Sequence, residues 1–332
     1  MEQINYPATQ RRLRTDPHVR ELTAGVKLSA KSFIQPLFVD EGLDTPRQVE
    51  GMGDVLVDTI DSVSDTITRD METGITKFLL FPVPATKQTG PAYTFNFATS
   101  LIRQIKARFG DKVWLAADLC LCSYTDHGHC GVLSEDQSRL LNSPTVEILS
   151  RYAAQLAAAG ADCIAPSDMM DGRIAAIRTM LDAMGYDHIS IMSYAAKFSS
   201  QFYGPFRDAC HSSPSSGGLR NRKTYQISPY NINDALASAD RDEREGADIL
   251  MVKPAGFYTD VIAALKRQSR KPLAAYHVSG EFAAIELLAA NNLADRSAAH
   301  LELWVALQRA GADIIISYAA RHAKQWIENA VI

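Results

Sequence analysis

Three cysteines stand close together in Asp118-Leu119-Cys120-Leu121-Cys122-Ser123-Tyr124-Thr125-Asp126-His127-Gly128-His129-Cys130-Gly131. Thiolates are soft ligands that select zinc, and Cys-x-Cys sets two sulfurs side by side while a glycine-containing loop brings back a third. Three protein ligands leave one position for water or a substrate, the pattern of a catalytic zinc site; His127 or His129 as a fourth ligand would make the site closed and structural. Cys163 and Cys210 stand alone and read as small packed residues.

Two lysines invite a second chemistry. Lys253 directly follows the apolar run 249–252, and Lys197 follows Tyr194-Ala195-Ala196 at the end of another. Burial disfavours an ammonium, a neighbouring cation disfavours it further, and the free amine attacks carbonyls to give Schiff bases. One such lysine would read as a surface or phosphate-binding residue; the pair points to imine chemistry. Arg207 lies in Tyr-Gly-Pro-Phe-Arg-Asp, and Arg220, Arg222 and Lys223 lie in the Gly/Ser-rich stretch 212–223, which reads as a mobile lid or, more plainly, a solvated basic loop. Guanidinium groups on such a lid would clamp a carboxylate in bidentate fashion.

These residues need elements to hold them. Short, continuously apolar runs recur at 33–39, 76–83, 113–117, 163–166, 189–194, 249–252, 273–276 and 314–317, as expected of strands buried on both faces. Between them lie amphipathic helical stretches such as 61–73, 95–109, 144–159, 172–184, 233–245 and 298–310. Three helix-to-strand junctions share the phrase Gly-Ala-Asp (160–162, 246–248 and 311–313), with glycine as the left-handed stop. Eight β/α units predict an α/β fold, a (β/α)8 TIM barrel over 32–332. An open doubly wound sheet is the alternative, but no G-x-G-x-x-G opens a helix. In a barrel, active sites collect at the C-terminal strand ends. Those ends carry Asp118 and the cysteines, Ser167 and Asp168, Lys197, Lys253, Ser279 and Tyr318. Residues 1–31, polar and carrying Arg11, Arg12, Arg14 and Arg20, read as an N-terminal arm or a disordered tail.

The chain has 332 residues, 46% hydrophobic and 22% charged, enough to bury a large core. A formal charge of -4 and a pI near 6.1 give no sign of a nucleic-acid or anionic-membrane partner. No apolar run suggests a membrane span, the first residues show no secretory pattern, and clustered thiols suit a reducing compartment; a cytoplasmic location is expected.

The cysteine segment is similar to the zinc-binding segment of zinc-type porphobilinogen synthases, the 5-aminolevulinate dehydratases. The segments I-A-P-S-D-M-M-D-G-R (164–173), M-S-Y-A-A-K-F-S-S-Q-F-Y-G-P-F-R-D-A (192–209), G-A-D-I-L-M-V-K-P (246–254) and Y-H-V-S-G-E-F (276–282) also resemble that family, and the likeness runs from Arg11 to the C-terminus. It implies a hydro-lyase of heme biosynthesis that condenses two 5-aminolevulinate molecules into porphobilinogen. Lys197 and Lys253 would be the Schiff-base lysines, Lys253 for the first-bound molecule. Cys120, Cys122 and Cys130 would hold a catalytic Zn²⁺. Arg207 and Arg222 would clamp the second carboxylate, Ser279 and Tyr318 the first, with Asp118 close to the second substrate. It further implies an oligomerising arm (1–31) and a homo-octamer.

The chain departs from the family pattern in three places. Gly51-Met52-Gly53-Asp54-Val55 replaces Met-Pro-Gly-Val, residues 81–93 are atypical, and Ser238 stands where many bacterial members have a glutamate near an allosteric Mg²⁺. Magnesium needs a well-placed carboxylate, so no activation by it is expected; Asp234, one turn earlier, is the residue that could rescue such a site. Two rivals are a class I aldolase-like barrel, which leaves the cysteines and second lysine unexplained, and a non-enzymatic scaffold with structural zinc.

Overall fold

The computed structural model describes residues 10–89, 93–214 and 218–330. Eight parallel strands close into a barrel: β1 (Phe33–Asp40), β2 (Lys77–Val83), β3 (Trp114–Leu119), β4 (Cys163–Pro166), β5 (Ser190–Lys197), β6 (Ile249–Lys253), β7 (Leu273–His277) and β8 (Ile314–Ser317). Each pairs with the next, and β8 returns to β1 through Phe33 opposite Ile315. A short hairpin, Arg47–Gln48 against Leu56–Asp58, flanks β1 where the Gly51–Asp54 segment departs from the family pattern. Every expected strand is present, because these runs are apolar on both faces and a closed parallel sheet buries both.

The six expected helices form within two or three residues of their expected ends, as Val63–Glu72, Asn96–Phe109, Asn142–Ala158, Arg173–Ala183, Ile232–Arg244 and Arg296–Ala310. Two more, Thr259–Gln268 and Ser279–Ala290, complete the outer layer. The second of these has a run of apolar residues (Phe282 to Ala290 with one Glu) in place of a clean stripe, which hides its period from the sequence. In the N-terminal segment, Pro17–Leu22 is a single capped turn and a half that buries none of its residues. No helix among the described residues is long and apolar enough to cross a membrane.

The repeated Gly-Ala-Asp phrase has one structural meaning. Gly160, Gly246 and Gly311 all have positive φ, from 103° to 120°, and end their helices. Each following aspartate then binds the strand before it through both backbone and side chain. The Asp162 carboxylate accepts Leu115 N–H at 2.7 Å, Asp248 accepts Ile191 N–H at 2.8 Å, and Asp313 accepts Leu273 N–H at 2.9 Å. The phrase therefore stitches β3 to β4, β5 to β6 and β7 to β8 at the barrel floor, the N-terminal ends of the strands.

At the other end, Arg173 is fully buried. It pairs with Asp242 at 2.9 Å and Asp168 at 3.6 Å and reaches Ser193 Oγ at 3.3 Å. One guanidinium thus joins the loop after β4, strand β5 and the helix Ile232–Arg244. Breaking a buried pair strands a charge, so Arg173→Leu should cost about 3–5 kcal/mol. Urea denaturation checks this; a loss below about 1 kcal/mol would show that the triad is not a brace.

Candidate active site

The two lysines end β5 and β6 and are direct cross-strand partners, Lys197 opposite Lys253. An irregularity between Ser193 and Ala196 makes this possible. Three steps along β5 match two along β6, so β5 holds one extra residue, a bulge. Strand β5 consequently runs three residues beyond the apolar run read from the sequence, and Tyr194 and Lys197 both turn into the mouth. The Nζ atoms of Lys197 and Lys253 lie 5.5 and 5.0 Å from the centre of the Tyr194 ring.

Both amines are buried, Lys253 at 3% and Lys197 at 5% exposure. Lys253 Nζ sits among the rings of Tyr276 (4.1 Å), Phe206 (4.6 Å) and Tyr203 (5.6 Å). Burial and then the charge of Lys197 bring its pKa down to about 7. Lys197 donates a hydrogen bond to the Ser167 carbonyl. Asp118 is half-buried, its carboxyl is pushed up to about 6 by desolvation against the pull of Lys197 and Lys253, and its Oδ1 is out of solvent without a well-formed hydrogen bond.

Cys120, Cys122 and Cys130 lie just beyond β3, buried, with their sulfurs all within 4.8 Å of one another. Tetrahedral zinc, with Zn–S near 2.3 Å, wants sulfurs about 3.8 Å apart, so the set fits such an ion with small adjustment. The loop is shaped by Gly128 (φ +70°), where a Cβ would meet the Ser213 carbonyl oxygen at 2.4 Å. Hydrogen bonds from Cys120 and Cys122, then the charge of Arg222, hold the Cys130 thiol well below its ordinary value, so a thiolate is favoured there. The histidines are not ligands in this arrangement. His129 uses both ring nitrogens, on the Tyr225 hydroxyl (3.0 Å) and the Leu219 carbonyl (2.7 Å), and His127 Nδ1 accepts His129 N–H. Among the described residues the three cysteines are the only such cluster, and it can bind a metal. Cys163 and Cys210 are buried and apart from it.

Arg222, expected on a solvated or mobile loop, is instead buried. It donates to the carbonyls of Gly128 (2.9 Å) and Ser212 (2.6 Å), tying the metal loop to the lid. Burial opposes its charge, but Cys130 and Cys122 hold it firmly protonated. Arg207 is shifted the other way, by burial and by repulsion from Arg222. The Nε of each arginine lacks a partner, leaving donors for an anion. Ser279 Oγ accepts Phe206 N–H at 3.1 Å, next to Arg207, and the Tyr318 hydroxyl meets that of Tyr276 at 3.2 Å. The cavity bordered by Phe81, Asp118, Cys120, Cys122 and Phe206 holds only about 10 Å³.

Two residues here escaped sequence reasoning. Lys87 Nζ donates to the carbonyls of Ser123 (2.6 Å) and His211 (2.9 Å), pinning the metal loop and lid together. Gln226, one turn beyond Arg222, is buried with neither amide atom paired. Neither stands in a distinctive motif. At the atypical position, Ser238 Oγ accepts from Arg241 at 3.2 Å; the same guanidinium pairs with Asp171 and with Asp242 at 3.1 Å.

Comparison with known proteins decides the family. A model of delta-aminolevulinic acid dehydratase matches residues 8–326. The chain belongs to the delta-aminolevulinic acid dehydratase family. It is 42% identical to the dehydratase of Halalkalibacterium halodurans, over 96% of each chain, and 42% identical to that of Mycobacterium tuberculosis, over 98% of this chain and all of that one. Porphobilinogen synthase of Toxoplasma gondii ME49, solved with its product porphobilinogen, superposes with a TM-score of 0.90 at 37% identity, covering 96% of this chain and 91% of that one.

The site geometry predicts a metal stoichiometry. Wild-type protein should take up one cobalt or zinc ion per chain, with a thiolate charge-transfer band for cobalt. Cys122→Ala should lose most of that affinity, whereas His129→Gln should retain it. Loss of the band in His129→Gln alone would place the ligands elsewhere.

Proposed function

We propose that this chain makes porphobilinogen from two molecules of 5-aminolevulinate, using Lys253 and Lys197 as Schiff-base lysines and zinc held by Cys120, Cys122 and Cys130. The activity is that of the dehydratase family, a hydro-lyase reaction that releases two waters and belongs to heme biosynthesis. The observation that carries the reading is the register of two buried lysines directly opposite each other at the barrel mouth.

Lys253, its amine about half unprotonated near neutral pH, captures the first ketone, and Lys197 captures the second. Imine formation acidifies the carbon beside the former ketone, and Asp118, its pKa raised by desolvation, is the carboxyl available to take or hold a proton there. Ser279 and Tyr318 receive the carboxylate of the molecule on Lys253. Arg207 and Arg222, with unpaired Nε donors, receive that of the molecule on Lys197. Burial of both amines keeps bulk water from them, which protects imines from hydrolysis. Two substrates fixed side by side react as one molecule would. Zinc on the three thiolates would supply Lewis acidity, with one position open to a substrate amine or a water. The segment 1–31, of which residues 1–9 lie outside the described residues, acts as an arm that wraps a neighbouring subunit in a homo-octamer working in the cytoplasm.

The test is direct. With zinc and thiol reductant, 5-aminolevulinate should give a pyrrole colour reaction, and chelation should abolish it with little change in helical circular dichroism. Borohydride should trap adducts on Lys253 and, more weakly, on Lys197. kcat/KM should rise with pH through about 7 as Lys253 loses its proton. Full activity of Lys253→Ala would sink the mechanism.

Magnesium should leave the rate unchanged. Ser238 offers a hydroxyl where a hard cation needs a carboxylate, Arg241 already sits on it, and Asp171 and Asp242 are held by guanidinium groups. Assays at saturating zinc with and without millimolar Mg²⁺ check this. Activation that Asp234→Ala removes would place a working site at Asp234.

A further inference from the structure

The barrel mouth is crowded with tyrosines, and nearly all of their hydroxyls are engaged. Tyr276 meets Tyr318, Tyr124 meets Tyr152 at 3.0 Å, Tyr203 donates to the carbonyls of Phe198 and Lys253, and Tyr225 binds His129. Tyr194 is the exception. It is fully buried, its hydroxyl makes no well-formed hydrogen bond although the Asp118 carboxyl, itself with an unpaired Oδ1, lies near it, and its ring lies beside both lysine nitrogens. A buried phenol without a partner costs roughly 1–3 kcal/mol, so an unused one at this place calls for a ligand that supplies the missing bond. The bulge in β5 exists between Ser193 and Ala196, across Tyr194 itself, and it is what brings this ring and Lys197 to the same side.

We propose that the Tyr194 hydroxyl is a catalytic proton donor shared by the two lysines, acting on the oxygen that leaves as the first Schiff base forms. This inference rests on the imine reading above. The first amine adds to a ketone and gives a neutral carbinolamine. The nitrogen lone pair then forms the C=N bond while the C–O bond breaks, and the departing oxygen takes the Tyr194 proton and leaves as water. The product is an iminium cation beside a phenolate. The other lysine, in its ammonium form, returns a proton to the phenolate and is left as the free amine. One positive charge is present before and after, the phenol is regenerated, and the second lysine is ready to attack the second ketone. Burial and the charge of Asp118 hold the phenol protonated at rest, as a donor must be.

The experiment uses levulinate, a ketone with the substrate's carboxylate but no amine, as the probe in the zinc-loaded enzyme. Borohydride quenching at increasing times measures how fast the imine on Lys253 forms and how far it goes. Tyr194→Phe keeps the ring. It should slow imine formation by about 10²–10³-fold and lower kcat for 5-aminolevulinate similarly, with the final extent of imine, the KM and the zinc content unchanged. A packing role would instead change the extent or KM. A rate within about three-fold of wild type overturns the assignment. Should that variant fail to fold, 3,5-difluorotyrosine at position 194 keeps shape and hydroxyl but makes the phenol more acidic. The alkaline limb of the rate profile should then move to lower pH, and an unmoved limb also overturns it. Failure of wild-type protein to trap any imine would overturn the lysine reading underneath, which separates the two cases.

Discussion

The chemistry of this barrel depends on one extra residue in β5. Side chains in a strand alternate between faces, so residues three apart point to opposite sides. Tyr194 and Lys197 are three apart, and in a regular strand one of them would face the helices. The bulge absorbs one residue, turns both inward, and leaves Lys197 exactly level with Lys253 across the ladder. Ala195 and Ala196, small and buried, are residues that can pass through such a kink without overfilling the mouth. Closeness of the two amines, the depressed pKa of Lys253 and the shared ring all follow from that register.

Such a mouth is costly to fold. Lowering Lys253 from 10.5 to about 7 means that the unfolded chain binds a proton which the folded one holds weakly. The resulting penalty is about 4–5 kcal/mol at neutral pH and below; it fades as pH rises toward 10.5, where the unfolded amine is also neutral. The fold offsets it away from the amines. The stitched floor, with three aspartates each bonded to the neighbouring strand, is regular and repeated. Arg173 gathers Asp168 and Asp242 into one fully buried group directly behind the site. Rigid surroundings let a strained, desolvated centre persist, because no neighbour can relax toward it.

Much of this was legible in the sequence, and the reasons differ by feature. The strands were readable because a closed parallel sheet demands apolar residues on both faces, and the Gly-Ala-Asp junctions marked where helices stop. The three cysteines and two lysines were readable because their residue types are rare at strand ends. The last turn of β5 was not, since Tyr-Ala-Ala-Lys has no period that reveals an inserted residue. The surroundings of Arg222 were also hidden. Composition makes 212–223 a polar loop, yet burial of its arginine depends on carbonyls at Gly128 and Ser212, contacts that only the folded chain brings together. Lys87 and Gln226 were missed for the same reason: each acts through long-range partners or through the lack of them.

Those long-range bonds make the metal loop and the lid a single unit. Arg222 holds Gly128, two residues before Cys130, and Ser212 at the same time, while Lys87 holds Ser123, next to Cys122, and His211. Both cations therefore span the same seam, and both lie close enough to the thiols to feel their charge. A segment fastened by cations to the cysteine loop is held more firmly when Cys130 is ionised. For Arg207, burial and repulsion from Arg222 outweigh the pull of Cys130, so it is the arginine in want of a counter-charge. The closed seam thus leaves its one electrostatic deficit where Arg207 and Arg222 face each other, and the group that best fills it is a carboxylate.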